Sequence, residues 1–202
     1  MQIYRYPAQK HRTELVIDRS RFITCVARAQ TTQEARQFIT DIHHEMPDAN
    51  HHVYAFCVGY GKSVIEGMSD DGEPSGTAGP PSLAVLRGSN IGDIILVTTR
   101  YFGGIKLGTG GLVRAYTESA QQALQNLPLE FNIPKVRLLV ELDYAILGVV
   151  ERYLQSIQAE ILDKSFTTQV EILVSILEGQ EKSLKDTLRD LSAGRIHITQ
   201  MD

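Results

Sequence analysis

Hydrophobic and polar residues alternate most regularly in the last third of the chain, where Val136, Leu138, Val140 and Leu142 fall at every second position, as do Val170, Ile172, Val174 and Ile176. Successive side chains of a strand point to opposite faces, so each run predicts a strand with one buried face. Glu160 to Phe166 and Arg195 to Gln200, the latter through Ile196 and Ile198, fit two further strands. Helical spacing separates them: Ala145 to Gln155 is one stretch, and Leu184, Leu188 and Leu191 mark one face of another. The order βαββαβ predicts the ferredoxin-like arrangement, a fold that hosts many functions and so names none.

The first two thirds of the chain are more mixed. Leu15 to Ile17, Phe22 to Ala27, His52 to Val58 and Ile94 to Thr99 read as strands. Thr32 to Glu45 reads as an amphipathic helix that Thr31 or Thr32 would cap, Ser82 to Arg87 as a short helix, and Gly111 to Asn126 as a long one. Pro128 and Pro134 interrupt helical continuation between Leu127 and Pro134. This places a domain at 1–130 and a second at 135–202, with an α+β fold class overall.

Composition excludes more than it proposes. With 43% hydrophobic and 22% charged residues, the 202-residue chain has the make-up of a globular protein with ample length for a core. No apolar run is long enough to span a bilayer, and the start, MQIYRYPAQKHRTEL, is too polar for a signal peptide. A cytoplasmic protein with no membrane partner is expected. Cys25 and Cys57 each sit in an apolar, strand-like stretch and read as buried free thiols. A net charge of -4, with -1 on residues 1–130 and -3 on residues 131–202, advertises no bulk affinity for nucleic acid, so any such binding must come from a local patch.

Two segments supply candidate patches. Thr98 to Arg114, TTRYFGGIKLGTGGLVR, is dense in glycine and carries Arg100, Lys106 and Arg114 without an acid. Asp70 to Pro81, DDGEPSGTAGPP, has the opposite sign, with Asp70, Asp71 and Glu73 and no base. Each leads into an apolar stretch at helical spacing, and the unpaired amides of a helix N-terminus make a seat for phosphate or carboxylate. The two segments therefore read as two lips of one anion site. Gly76, Thr77 and Gly79 lie on the first lip, and Gly108, Thr109, Gly110 and Gly111 on the second, with the three cations adding charge. The bland alternative is that the glycines serve tight packing and that Arg100 and Arg114 pair with Asp70, Asp71 or Glu73. The pattern is neither a P-loop nor a dinucleotide-binding fingerprint.

These segments, with Ser20-Arg21-Phe22-Ile23 and the stretch from Ala49 to Val58 that holds His51 and His52, resemble the IMPACT/YigZ family. The resemblance is strong over residues 15 to 125, and the remaining third fits the bacterial members' second domain by pattern. It implies a domain like the second domain of a small-subunit ribosomal protein, followed by a ferredoxin-like one. Those two domain types stand side by side in elongation factor G, which points towards RNA or the ribosome. Eukaryotic relatives are linked to control of translation under amino-acid starvation through a protein partner. Pro80 departs from the pattern, standing where a basic residue is expected.

The remaining candidates are weighed against simpler roles. A metal site on Asp70, Asp71 and Glu73 competes with ordinary turn chemistry. His51 and His52 point to opposite faces of a strand, so one of them, His51, is expected to face the anion. Ser75, Thr77 and Thr109 lack an activating base and read as helix caps or anion donors. Arg21, with Arg19 and Arg28, extends the basic rim or protects a strand edge. Tyr101 and Phe102 either stack on unpaired bases or fill the core beneath the helix; Phe102 reads as core, and Tyr101 stays open. The expectation is a non-enzymatic, translation-linked factor without a cofactor that binds RNA, the ribosome or a translation-associated protein. The rival is an enzyme acting on a phosphorylated small molecule through a DDGEP acid or metal site.

Overall fold

The computed structural model describes residues 3–201, which divide between Asn132 and Ile133 into two units. In chain order the first contains β1 (Tyr4–Pro7), β2 (His11–Ile17), β3 (Ser20–Arg28), α1 (Thr32–Glu45), β4 (His51–Val58), β5 (Ile65–Ser69), α2 (Gly79–Gly88), β6 (Ile94–Tyr101), α3 (Gly108–Gln125) and β7 (Leu129–Asn132). Five strands form one sheet in the order β2-β3-β6-β4-β5, and every neighbouring pair is antiparallel. Strand β6 is central and buried from Ile94 to Arg100, the continuous pattern of a strand covered on both faces. On one face Cys25, Ala27, Ile95 and Val97 meet Ala35, Phe38 and Ile42 of α1. On the other, Val26, Ala55, Ile94 and Leu96 meet Leu83 and Leu86 of α2 and Ala120 and Ala123 of α3. A third cluster joins Phe22 and Val53 to Leu112, Ala115 and Tyr116 at the start of α3.

The second unit runs β8 (Lys135–Leu142), α4 (Leu147–Ser156), β9 (Glu160–Phe166), β10 (Val170–Leu177), α5 (Glu181–Leu191) and β11 (His197–Met201). Its antiparallel sheet has the order β11-β8-β10-β9, which is the ferredoxin-like topology. The alternating residues Leu138, Val140, Leu142, Val170, Ile172, Val174 and Ile176 meet Val150, Leu154, Leu184 and Leu188 from the two helices. Among the described residues, no helix is long and apolar enough to cross a membrane.

Several local expectations are corrected. Residues Leu129–Asn132, read from the two prolines as a joint, form a strand that pairs antiparallel with Tyr4–Pro7. Pro128 and Pro134 flank it, positions where a missing N–H breaks no ladder bond. Strand β5 was not anticipated because IEGMS alternates nothing; it is held by β4 alone. Helix α2 begins at Gly79 rather than Ser82, because prolines are compatible with a first turn whose amides have no partner within the helix. Helix α3 begins at Gly108 rather than Gly111, so Arg114 lies in the second turn and not the first. Phe102 is 46% exposed rather than core, because its N–H is tied to Asn50 Oδ1 at 2.7 Å just past the end of β6.

Candidate functional site

The acidic segment spends its charge on its own backbone. Asp70 accepts hydrogen bonds from the N–H groups of Gly76, Ala78 and Gly79 at 2.8, 2.9 and 2.8 Å. It thereby caps α2, where Pro80 and Pro81 have no N–H to offer. Thr77 donates through both N–H and Oγ1 to the Pro74 carbonyl. The expectation that Gly76, Thr77 and Gly79 seat an outside anion is therefore corrected: the anion they hold is the carboxylate of Asp70, or they bond within the turn. Thr77 and Thr109 cap neither helix; the residue before α3 is Leu107, with no side-chain cap.

Asp71, at φ +44°, accepts the His52 N–H on Oδ2 at 2.5 Å, and its carbonyl faces His51 Nδ1 at 2.7 Å. A carbonyl only accepts, so Nδ1 carries the proton and Nε2 is directed elsewhere. The ring of His52 turns to the other side of the strand, where it is buried, bonds Thr99 Oγ1 at 3.1 Å and packs on His43. Burial and the nearby His43 push its pKa down.

Glu73 is the chemical centre. Its side chain is 97% buried; Oε1 accepts from Arg100 Nη1 at 2.6 Å and from the Tyr116 hydroxyl at 2.8 Å. Arg100 is itself buried, placed by sheet register opposite Phe22 on β3 and His51 on β4. Burial, reinforced by the charge of Glu73, lifts the Tyr116 phenol far above its ordinary pKa. The Arg100–Glu73 pair is the internal pairing that the sequence left open, whereas Asp70 and Asp71 bond amides and take no part in it. The acid or metal site expected of a DDGEP enzyme is accordingly not assembled on Asp70 and Asp71. Among the described residues, no three His, Cys, Asp or Glu side chains converge as metal ligands do.

The basic segment behaves differently. Gly103 packs directly on the backbone of the β2–β3 turn and donates to Ser20 Oγ at 3.2 Å. Gly104 and Gly108 adopt φ of +86° and +70°, which release the chain into α3. The amides of Gly108, Thr109 and Gly110 have no acceptor within the helix, while that of Gly111 falls within the helix's own bonding pattern. Lys106, Thr109 and Arg114 are exposed around this helix start, and Arg114 Nε turns back to the Gly110 carbonyl at 3.4 Å. Arg21 stands apart from the pocket, in a bidentate pair with Glu14 at 2.8 and 3.2 Å.

Between the two segments lies a cavity of about 490 Å³. Glu73, Arg100, His51 and Asn50 line its polar side; Pro74, Phe102, Leu107 and Leu112 line its apolar side; Lys106, Gly108 and Thr109 complete it. Sequence reasoning did not assign Tyr116, Ser20, Asn50 or Phe102 to this site. Tyr116 carried a signal: on the apolar stripe of a helix, a buried hydroxyl needs a partner.

Asp70 gives the site a pH signature. Burial opposes its charge, but the bonds from Gly76, Gly79 and Ala78 outweigh that and hold its pKa below the ordinary 3.8. A depressed folded-state pKa contributes stability above the unfolded value, and that contribution is lost as pH falls through the folded value. Asp70→Asn is expected to lose stability at neutral pH and to show a shallower decline under acid. Denaturant midpoints compared from neutral pH to below 3.8 check this; parallel curves for the two proteins contradict it.

The pocket lies inside a recognised domain. Residues 18–124 match the model of the Impact N-terminal domain, and residues 140–195 match a domain of unknown function (DUF1949). The chain is 37% identical over its full length to an IMPACT family member of Haemophilus influenzae, covering 98% of that protein. It is 34% identical to the IMPACT family member YigZ of Escherichia coli, with both chains fully covered. Identity to the Bacillus subtilis IMPACT family member YvyE is 36%, over 93% of this chain and 86% of that one. A crystal structure described as that of a hypothetical protein is similar to the whole chain, with a TM-score of 0.70 and 35% identity, and 98% of it is covered.

Proposed function

The chain belongs to the IMPACT family, and from that premise and the geometry of the pocket we propose that it is a non-enzymatic, translation-linked regulatory factor that binds single-stranded RNA through its N-terminal unit. The observation that carries the reading is the sorting of charge between the two glycine segments. Asp70, Asp71 and one oxygen of Glu73 are held by the chain itself, whereas Lys106 and Arg114 stay exposed beside the uncapped start of α3. The charge turned outward is cationic although the chain as a whole is acidic. Phosphate is favoured at such a helix start by unpaired amides and by the helix dipole together. Phe102, nearly half exposed at the same pocket, offers the stacking surface that single-strand binders use.

The test is binding of a labelled, unstructured RNA across a salt series, beside a Lys106→Ala/Arg114→Ala variant. Arg100 is left intact because it belongs to the buried ion pair. Binding is expected to weaken steeply with salt. Loss of two phosphate contacts lowers the slope of log K against log salt by about 1.4 for a single strand. Absence of binding by the intact protein at low salt overturns the reading.

A further inference from the structure

The floor of the pocket holds two hydrogen-bond acceptors and no donor committed to them. Oε1 of Glu73 is saturated by Arg100 and Tyr116, but Oε2 has no hydrogen bond and lies 3.9 Å from His51 Nε2. Oε2 opens into the cavity, which both Glu73 and His51 line. His51 is fixed in kind: with Nδ1–H given to the Asp71 carbonyl, the neutral ring presents Nε2 as a lone pair. A carboxylate oxygen that opens into the cavity with no donor from the chain is free to take one from outside, so this pair suits a ligand that brings its own N–H groups.

The walls restrict that ligand further. Phe102, Pro74, Leu107 and Leu112 suit a flat, weakly polar ring, while Lys106 and the start of α3 suit a phosphate on the same molecule. A cavity of about 490 Å³ is in the range of sites that take one small ligand. Resting on the RNA reading above, we propose that the pocket selects one unpaired nucleotide by its base: it accepts a base with an exocyclic amino group and rejects uracil. An amino group has two hydrogens for two acceptors 3.9 Å apart. Uracil offers a single N–H flanked by two carbonyl oxygens, and one of those oxygens would face the carboxylate. Cytosine and uracil make the clean comparison, because they share size and differ at this edge by amino against carbonyl.

The experiment measures affinities of the intact protein for oligo(C) and oligo(U) of equal length and label at one salt concentration, with Phe102→Ala and Glu73→Gln beside it. Oligo(C) is expected to bind at least about tenfold more tightly than oligo(U). Phe102→Ala, an exposed side chain whose loss leaves the core intact, is expected to weaken oligo(C). Glu73→Gln, if its amide nitrogen replaces Oε2 at the floor, turns an acceptor into a donor and reduces or reverses the preference. Equal affinity of the intact protein for the two oligomers overturns the base selectivity while leaving RNA binding in place. Failure of both oligomers to bind at low salt overturns the RNA reading and the selectivity with it.

Discussion

Replacing Arg100 with alanine is expected to destabilise the N-terminal unit by about 3–5 kcal/mol, the range seen when one partner of a buried ion pair is removed. The size follows from what remains. Glu73 is 97% buried at its side chain and would keep a charge whose main counter-ion, at 2.6 Å, has gone. Glu73→Ala should be comparably damaging, since it strands both the guanidinium and the Tyr116 hydroxyl. An Arg100→Met/Glu73→Leu/Tyr116→Phe triple variant should recover much of the loss, because burying apolar groups in their place carries no desolvation penalty and leaves no hydroxyl without a partner. Tyr116→Phe alone should cost less, about 1.5–3 kcal/mol, the net worth of a hydrogen bond to a charged group. Hydrogen exchange of the β6 amides reads these differences within the unit concerned. A small loss for Arg100→Ala alone would mean that the pair is wetter than its burial indicates.

Gly103→Ala is expected to be as disruptive although it deletes no side-chain atom. A Cβ there would stand 2.1 Å from the Arg19 carbonyl carbon and 2.4 Å from the Ser20 nitrogen, both backbone atoms that no rotamer change can move aside. Arg19 is itself pinned, because Asp18 and Arg19 both adopt positive φ in the tight turn between β2 and β3. One of the two chain segments must shift, and the Gly103–Ser20 and Phe102–Asn50 bonds at the pocket edge go with it. The expected cost is about 3 kcal/mol, the upper end for overpacking, together with loss of the RNA binding proposed above. Gly110→Ala is the contrast: a Cβ there meets nothing within 4 Å, and replacing a helical glycine should stabilise by up to about 1 kcal/mol. Thermal unfolding of the two variants separates a close-approach glycine from one that merely opens a helix.

The C-terminal unit was legible because its period-2 runs and its two helical stripes each bury one face, so pattern and burial coincide. The N-terminal unit was legible in its central strand and in α1, whose Thr31 side chain accepts the Glu34 N–H as a cap should. What escaped depends on partners distant in sequence. Strand β7 exists because β1 lies beside it, and nothing in LEFN announces this. The acidic and basic segments were visible as a pair, but local charge does not say which acid meets which base. Burial separated them: Glu73 reaches Arg100, and Asp70 and Asp71 reach amides. Glycine density likewise failed to distinguish lips that present amides from one that folds around its own carboxylate. Only the assembled turn shows that Asp70 has taken the amides that Gly76 and Gly79 seemed to offer.

The ribbon of β1 with β7 brings residues 4–7 against residues 129–132. The chain thus enters and leaves the N-terminal unit at a single doorway, which is the arrangement that tolerates circular permutation and insertion into other proteins. It also imposes an order on synthesis: the first strand gains its antiparallel mate only after some 120 later residues have emerged, so the nascent unit cannot close before its last strand is made. A module closed in this way can be moved between genes as a cassette with its pocket intact, because both of its loose ends are already tied together.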